Sequence, residues 1–120
     1  MTNGLERRRL PPERPSVTHR FVVGGYEGFF TVGMYEDGKP GEMFVHVSKE
    51  GSTVSGLLDC LAVSVSLGLQ HGIPIEKYVE KFSSVRFEPM GRTENPGIPE
   101  AESIVDYIFR WIGKKFIDGS

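Results

Sequence analysis

The chain has 120 residues, of which 38% are hydrophobic and 25% are charged, and its formal net charge is −2 at pH 7. This length suits one domain with its own core, and so small a net charge gives no general attraction to nucleic acid or to anionic membranes. A single cysteine, Cys60, excludes an internal disulfide and a dithiol redox pair. No apolar run reaches the roughly 18 residues that span a bilayer, so we expect a soluble cytoplasmic protein.

Residues 1–15 are rich in arginine and proline, with only Leu5 and Leu10 as apolar anchors. A segment of this composition buries too little apolar surface to offset the entropy lost on ordering. We therefore expect a flexible arm here, followed by a single domain over 16–117 and a tail over 118–120. The run of three arginines leaves open a contact with phosphate or an acidic surface, although a solvated linker is the more common role.

Short runs of β-branched and aromatic residues, separated by glycine-rich turns, come next and predict an antiparallel β-meander. The predicted strands are Val17–Val23, Gly28–Tyr35 and Met43–Val47. Val85–Phe87 has the composition of a fourth strand, so the number of strands stays at three or four. Both faces of the meander carry apolar side chains, and we expect one to pack on a helix and the other to need a partner.

The segment from Thr53 to Gly72 predicts a central core helix that ends before Pro74. Its apolar residues recur at helical spacing on one face: Val54, Leu57, Leu58, Leu61, Ala62, Val65 and Leu69. A second ridge contains only small residues, each four positions from the last: Gly56, Cys60, Ser64 and Gly68. Because Asp59 is the only charge, we expect the helix to be covered on most sides, with Cys60 as a packing residue. A bulky residue at Gly56 should then be far more damaging than Ser66→Ala.

Two further helices are predicted, one opened by Pro74 and one beginning at Glu100 and ending near Gly113. The last one has an apolar stripe of Ile104, Val105, Ile108 and Ile112, with aromatic residues that spread beyond it. We expect Tyr107 and Trp111 to form a partner interface together with Gly56, Cys60 and Ser64, because exposed aromatic side chains are common anchors. The predicted fold class is α+β, a meander of three to four strands packed on a central helix, with two more helices.

Residues able to do chemistry are sparse. Three histidines (His19, His46 and His71) lie far apart, so with one cysteine they do not give the spacing of a zinc site, and no metal is expected. We identify no catalytic residue.

Two segments are candidates for binding an anion or a partner. Free amides at the start of the central helix are the first, with Lys49, Gly51, Ser52 and Thr53, although ordinary capping is the more common role. The second is a glycine-rich loop flanked by Arg86, Glu88 and Arg92, for which structural ion pairing is the alternative.

Seven segments together resemble a known family: Ser16–Phe21, Gly24–Gly28, Gly33–Glu42, Lys49–Leu57, Lys81–Ser83, Arg86–Pro89 and Ser103–Trp111. In this order they are similar to the C-terminal region of adenosylcobalamin-dependent (class II) ribonucleotide reductases, a region also grouped with the TSCPD domain. The resemblance extends over about Leu10 to Ile117.

The resemblance implies a link to the reduction of ribonucleotides to deoxyribonucleotides for DNA synthesis. Family enzymes use a cobalamin-generated thiyl radical in a large α/β barrel and paired cysteines as reductant, whereas this chain has only Cys60. Its Asn95–Pro99 segment also departs from the Thr-Ser-Cys-Pro-Asp sequence that names the domain group. The resemblance therefore implies a noncatalytic accessory domain acting in assembly or regulation, with adenosylcobalamin held by the parent enzyme and no cofactor of its own.

The partner implied is the catalytic chain or domain of a ribonucleotide reductase. Two alternatives stay open: a small module that binds nucleotide or nucleic acid, and a structural module that self-associates through the small-residue ridge. A nucleotide ligand and a homo-oligomer are accordingly open, whereas nucleic acid and membrane are not expected partners.

Overall fold

The computed structural model describes residues 6–48 and 53–118. Three strands come first: β1 (Ser16–Val23), β2 (Tyr26–Met34) and β3 (Pro40–Val47). The remaining elements are α1 (Thr53–Gln70), α2 (Ile75–Phe82), β4 (Gly91–Arg92), β5 (Glu100–Ala101), α3 (Ile104–Ile112) and a π-helical turn (Gly113–Ile117). The predicted α+β class is confirmed.

The main sheet is an antiparallel meander in the order β1-β2-β3. Gly24 and Gly25 make the first turn with φ of 57° and 86°, a conformation that glycine adopts without strain. Alternate residues of the strands face the core, among them Phe21, Val23, Phe30, Val32, Met43 and Val45. A second, two-stranded ladder joins β4 to β5.

The long helix α1 lies along β3, the edge strand of the sheet. Leu58, Ala62, Val65 and Leu69 are buried on its inner side, as predicted. The Ser66 hydroxyl accepts a hydrogen bond from the N–H of Met43 (2.9 Å) and donates one to the Met43 carbonyl (3.2 Å). Gln70 Nε2 donates to the carbonyl of Gly41 (2.9 Å), so α1 side chains occupy part of the edge where a fourth strand would pair.

By length and composition alone, α1 is apolar enough to cross a membrane: it has 18 residues with a mean hydropathy of 1.4. The sequence criterion of an unbroken apolar run missed this, because serines and Asp59 interrupt the segment. A mostly buried core helix meets the same criterion, but only 22% of α1 is buried. The prediction that α1 is covered on most sides is therefore wrong for the described residues, because α1 packs on β3 with one side only.

Two predicted elements differ from the structure. Val85–Phe87 is not a strand but an extended loop, held by the bonds from Phe87 N–H to Glu102 O (3.1 Å) and from Ser103 Oγ to Val85 O (2.7 Å). The last helix begins at Ile104 rather than at Glu100. The reason is that Ser103 Oγ accepts from Asp106 N–H (2.8 Å) and caps the helix, whereas Glu100 pairs with Arg92 in the ladder.

Part of the N-terminal segment lies against the domain. The N–H of Arg8 donates to Gln70 O (2.7 Å), and its guanidinium lies 3.9 Å from the ring centroid of Tyr35. Arg14 forms an ion pair with Glu42 (2.7 Å). The flexibility of the arm stays a prediction.

Candidate functional site

The aromatic residues of α3 lie mostly inside the core. Tyr107 is 1% exposed and Phe109 is fully buried. Trp111 is half-buried, with its ring 4.9 Å from that of His19 and 5.2 Å from that of Phe30. The wide apolar stripe of α3 is thus covered by the sheet on one side and by α2 on the other. Tyr107, predicted as an interface residue, has no surface left for a partner.

A partly buried polar cluster connects α3 to β1 and to the loop before β5. Asn95 Nδ2 donates to the Tyr107 hydroxyl (3.0 Å), which lies 2.7 Å from His19 Nε2. Because Asn95 already donates to the hydroxyl oxygen, Tyr107 can give its proton to His19, which must then be neutral. Burial lowers the pKa of His19 and raises the pKa of Tyr107, so both groups are held in their neutral forms.

Sequence reasoning missed this cluster because its three members come from separate segments and no short motif joins them. They line a hollow of about 310 Å³ that is bordered by the ion pair of Arg20 with Glu94 (3.2 Å). The cluster holds no activated nucleophile, and its hydrogen bonds join elements of the fold.

The predicted anion site is not assembled by the described residues. Lys49, Gly51 and Ser52 lie outside them, and Thr53 is exposed at the first position of α1. Arg86 pairs with Glu102 (3.4 Å), which favours the structural use of that side chain. Arg92 lies in β4, where it is the ladder partner of Glu100. Arg86 and Arg92 of the second candidate segment therefore make contacts within the loop and the β4–β5 ladder that precede α3.

Glu88, the remaining member of that segment, lies in the loop between α2 and β4 and is exposed. Its peptide bond to Pro89 is cis. A binding role for Glu88 stays a prediction.

The outer side of α1 is an exposed face with one charged residue, Asp59, at its border. The remainder of the face is formed by Thr53, Gly56, Leu57, Cys60, Val63, Ser64 and Leu67. Leu57 is 64% exposed and Val63 is 60% exposed. Three of the predicted interface residues, Gly56, Cys60 and Ser64, lie on this face.

Cys60 was predicted to be a packing residue, and the structure shows that this is wrong, because it is exposed on the side of α1 away from β3. A side chain added at Gly56 would likewise meet nothing. Only Gly68 of the small-residue ridge makes a close contact, and it does so within the chain, against the hydroxyl of Tyr78.

The exposed face of α1 continues onto β3. Phe44, 56% exposed, lines a groove of about 520 Å³ together with Val63 and Leu67. We call Leu57, Val63, Leu67 and Phe44 the α1 patch. Leu57 borders a second groove, of about 280 Å³, that is lined by apolar residues, among them Leu61, Phe82 and Phe87. Large exposed apolar surface on a protein usually marks a contact site, so the α1 patch is the strongest candidate for a functional surface in the described residues.

The described residues contain no group of three or more His, Cys, Asp or Glu that could hold a metal ion. That the chain holds no cofactor of its own stays a prediction.

Comparison with known proteins decides the family. The sequence profile described as the TSCPD domain matches residues 5–116. The chain belongs to the TSCPD domain family. No solved structure matches this TSCPD domain.

Several relatives are similar over almost the whole TSCPD domain. A vitamin B12-dependent ribonucleotide reductase of Rhodopirellula baltica is 51% identical over 114 residues, which are 95% of this chain and 11% of that enzyme. The enzyme of the same name from Streptantibioticus cattleyicolor is 50% identical over 92% of the chain and 18% of its own length. That of Bradyrhizobium diazoefficiens is 40% identical over 93% of the chain and 9% of its length. The chain thus spans less than a fifth of the relatives it matches.

Proposed function

We propose that this TSCPD domain is a noncatalytic accessory domain of a vitamin B12-dependent ribonucleotide reductase, acting in assembly or regulation of the enzyme. The observation that carries the proposal is the identity of about half of all positions, over 92–95% of the chain, to regions of two such reductases. In this role the domain would support the supply of deoxyribonucleotides for DNA synthesis from the cytoplasm.

Two features of the chain support a noncatalytic role. It has one cysteine, so it cannot supply a cysteine pair as a reductant. The buried polar side chains of α3 are engaged within the fold: Asp106 accepts from the N–H groups of Ser84 (2.6 Å) and Glu102 (2.8 Å), and Tyr107 bonds to His19 and Asn95. Adenosylcobalamin would accordingly be bound by the remainder of the enzyme.

The proposal is tested with the Rhodopirellula enzyme lacking its matching region. This shortened enzyme is mixed with the 120-residue chain, association is measured by light scattering, and ribonucleotide reduction is assayed with adenosylcobalamin and a thiol reductant. We expect a complex and a changed rate of reduction. The enzyme's own matching region, added in the same way, serves as the positive control. No complex and no change in rate with this chain, where the control region gives both, would contradict the proposal.

A further inference from the structure

We propose that the α1 patch is the surface through which this TSCPD domain docks onto the catalytic part of the reductase, an inference that rests on the proposed function above. Helix α3, which the sequence favoured as the interface, is excluded because its apolar side chains are almost all buried. The described residues offer the α1 patch instead.

The outer face of α1 has fewer charged residues than a solvent-exposed helix normally has. The solvent-facing side of a helix in a soluble domain normally carries charged residues. On α1 the only charge is that of Asp59, which is exposed at the border of this side and lines the groove together with Arg7 and Glu42. Leucine and valine side chains that are more than half exposed occupy the places where charges are expected. Such a face is typical of a helix that is covered in its working state.

The outer face of α1 also has a shape that suits close packing. The large residues Leu57, Val63 and Leu67 alternate around the face with Gly56, Cys60 and Ser64, which leave hollows between them. A ridge of large side chains on a partner fits such hollows, because packed surfaces interdigitate. The partner surface must also be mainly apolar, with polar groups only where it meets Asp59, Arg7 and Glu42 at the groove. A charge buried against the uncharged part of the face would lose water without gaining a counter-ion.

The exposed area of the outer face of α1 indicates which partner covers the α1 patch. At about 1.5 Å per residue, a helix of 18 residues with an exposed face about 10 Å wide presents roughly 300 Å². Proteins that associate freely and stably bury about 800 Å² on each side, so two copies of the chain could not form a stable dimer through this face alone.

A small interface suffices when the two partners share one polypeptide, because the tether gives an effective concentration of about millimolar. The relatives have that arrangement: the matched region is 11% of the Rhodopirellula enzyme and 18% of the Streptantibioticus enzyme. The remainder of the reductase is therefore the occupant for which the size of the patch is adequate.

The test uses two substitutions on the patch, Leu57→Gln and Val63→Gln, singly and together. Glutamine has a helix propensity close to that of leucine and better than that of valine, so α1 should remain intact. Ile117→Gln, on the π-helical turn and 37% exposed, is the matched control that removes apolar surface elsewhere. Circular dichroism and urea unfolding verify that all variants fold. Because the tether supplies much of the docking free energy, each variant is fused to the shortened Rhodopirellula enzyme in place of its matching region, and docking is measured as the rate at which a protease cleaves the junction. We expect the double variant to be cleaved about ten-fold or more faster than the wild-type fusion and the control to stay within about two-fold.

The outcomes separate the two proposals. If the wild-type fusion neither protects its junction nor changes the rate of ribonucleotide reduction relative to the shortened enzyme, the proposed function fails and the docking surface with it. If the wild-type fusion is protected and the double variant is protected equally well, the docking surface is wrong while the proposed function stands. Concentration-dependent dimers, or adsorption to phosphatidylcholine vesicles, that disappear in the double variant while protection of the junction persists would overturn the inference in favour of a second copy or a lipid surface.

Discussion

Ser66 contacts β3 whereas Gly56 lies on the exposed side of α1, and the structure predicts opposite effects for their substitution. Ser66 Oγ bonds both the N–H (2.9 Å) and the carbonyl (3.2 Å) of Met43, a residue that is 2% exposed. Ser66→Ala removes both bonds, and a buried polar group left without a partner costs about 1–3 kcal/mol. The better helix propensity of alanine returns about 0.5 kcal/mol, so the net loss should be about 1–2 kcal/mol.

Gly56→Leu should instead leave stability unchanged or raise it by up to about 1 kcal/mol, because leucine is the better helix former and the site is open. This order is the reverse of the sequence-based expectation. Urea unfolding of the three proteins measures it, with Ser64→Ala on the exposed face as a control that loses the same hydroxyl without a bond to the sheet. Equal midpoints for Ser66→Ala and Ser64→Ala, or a lower midpoint for Gly56→Leu, would refute the reasoning.

Three further predictions concern other parts of the domain. Burial lowers the pKa of His19 from about 6.5 in the unfolded chain. The free energy of unfolding should therefore be maximal above that pH and decrease as the pH falls below it. Urea titrations of His19→Gln should show a flatter pH dependence. Asp106→Ala should cost about 3 kcal/mol in urea unfolding, because it leaves the N–H groups of Ser84 and Glu102 without an acceptor. Cys60→Ser should change stability by less than about 0.5 kcal/mol, and the native Cys60 thiol should react with Ellman's reagent without denaturant, because the residue is exposed.

Each of these has a clear contrary result. An acid limb that persists unchanged in His19→Gln would mean that another group carries the pH dependence. A loss below about 1 kcal/mol for Asp106→Ala would mean that water replaces the carboxylate. A Cys60 thiol that reacts only after unfolding would mean that the outer face of α1 is covered in solution.

Strands, helices and the α+β class were predictable because they depend on local periodicity and turn residues. The alternation of Phe30 and Val32 with their neighbours marks β2, and Gly72 with φ of 99° ends the turn after α1. The inward face of α1 was predicted except at Leu57, which is exposed. Leu57 and Leu58 both continue an apolar row, and only the packing on β3 distinguishes them.

The predicted interface on α3 is wrong at Tyr107 for a related reason, whereas an interface role for Trp111 stays a prediction. A helix of nine residues with apolar side chains around most of its circumference is equally compatible with an exposed patch and with burial between two layers. The bonds of Tyr107 to His19 and Asn95 decide for burial, and they join segments up to 88 residues apart. No pattern within one segment carries that information.

The hydrogen bonds from Ser66 and Gln70 to β3 have a consequence for how the domain avoids aggregation. An edge strand with free N–H and carbonyl groups is a template for strand addition by another chain. On β3, α1 occupies these groups at Gly41 and Met43, and Arg7 in turn donates to the Gln70 side chain (2.6 Å). A partner that pulled α1 away would open this edge to other polypeptides. A partner that docks only on the outer face of α1 leaves the inner face packed on the sheet, so the edge of β3 stays covered.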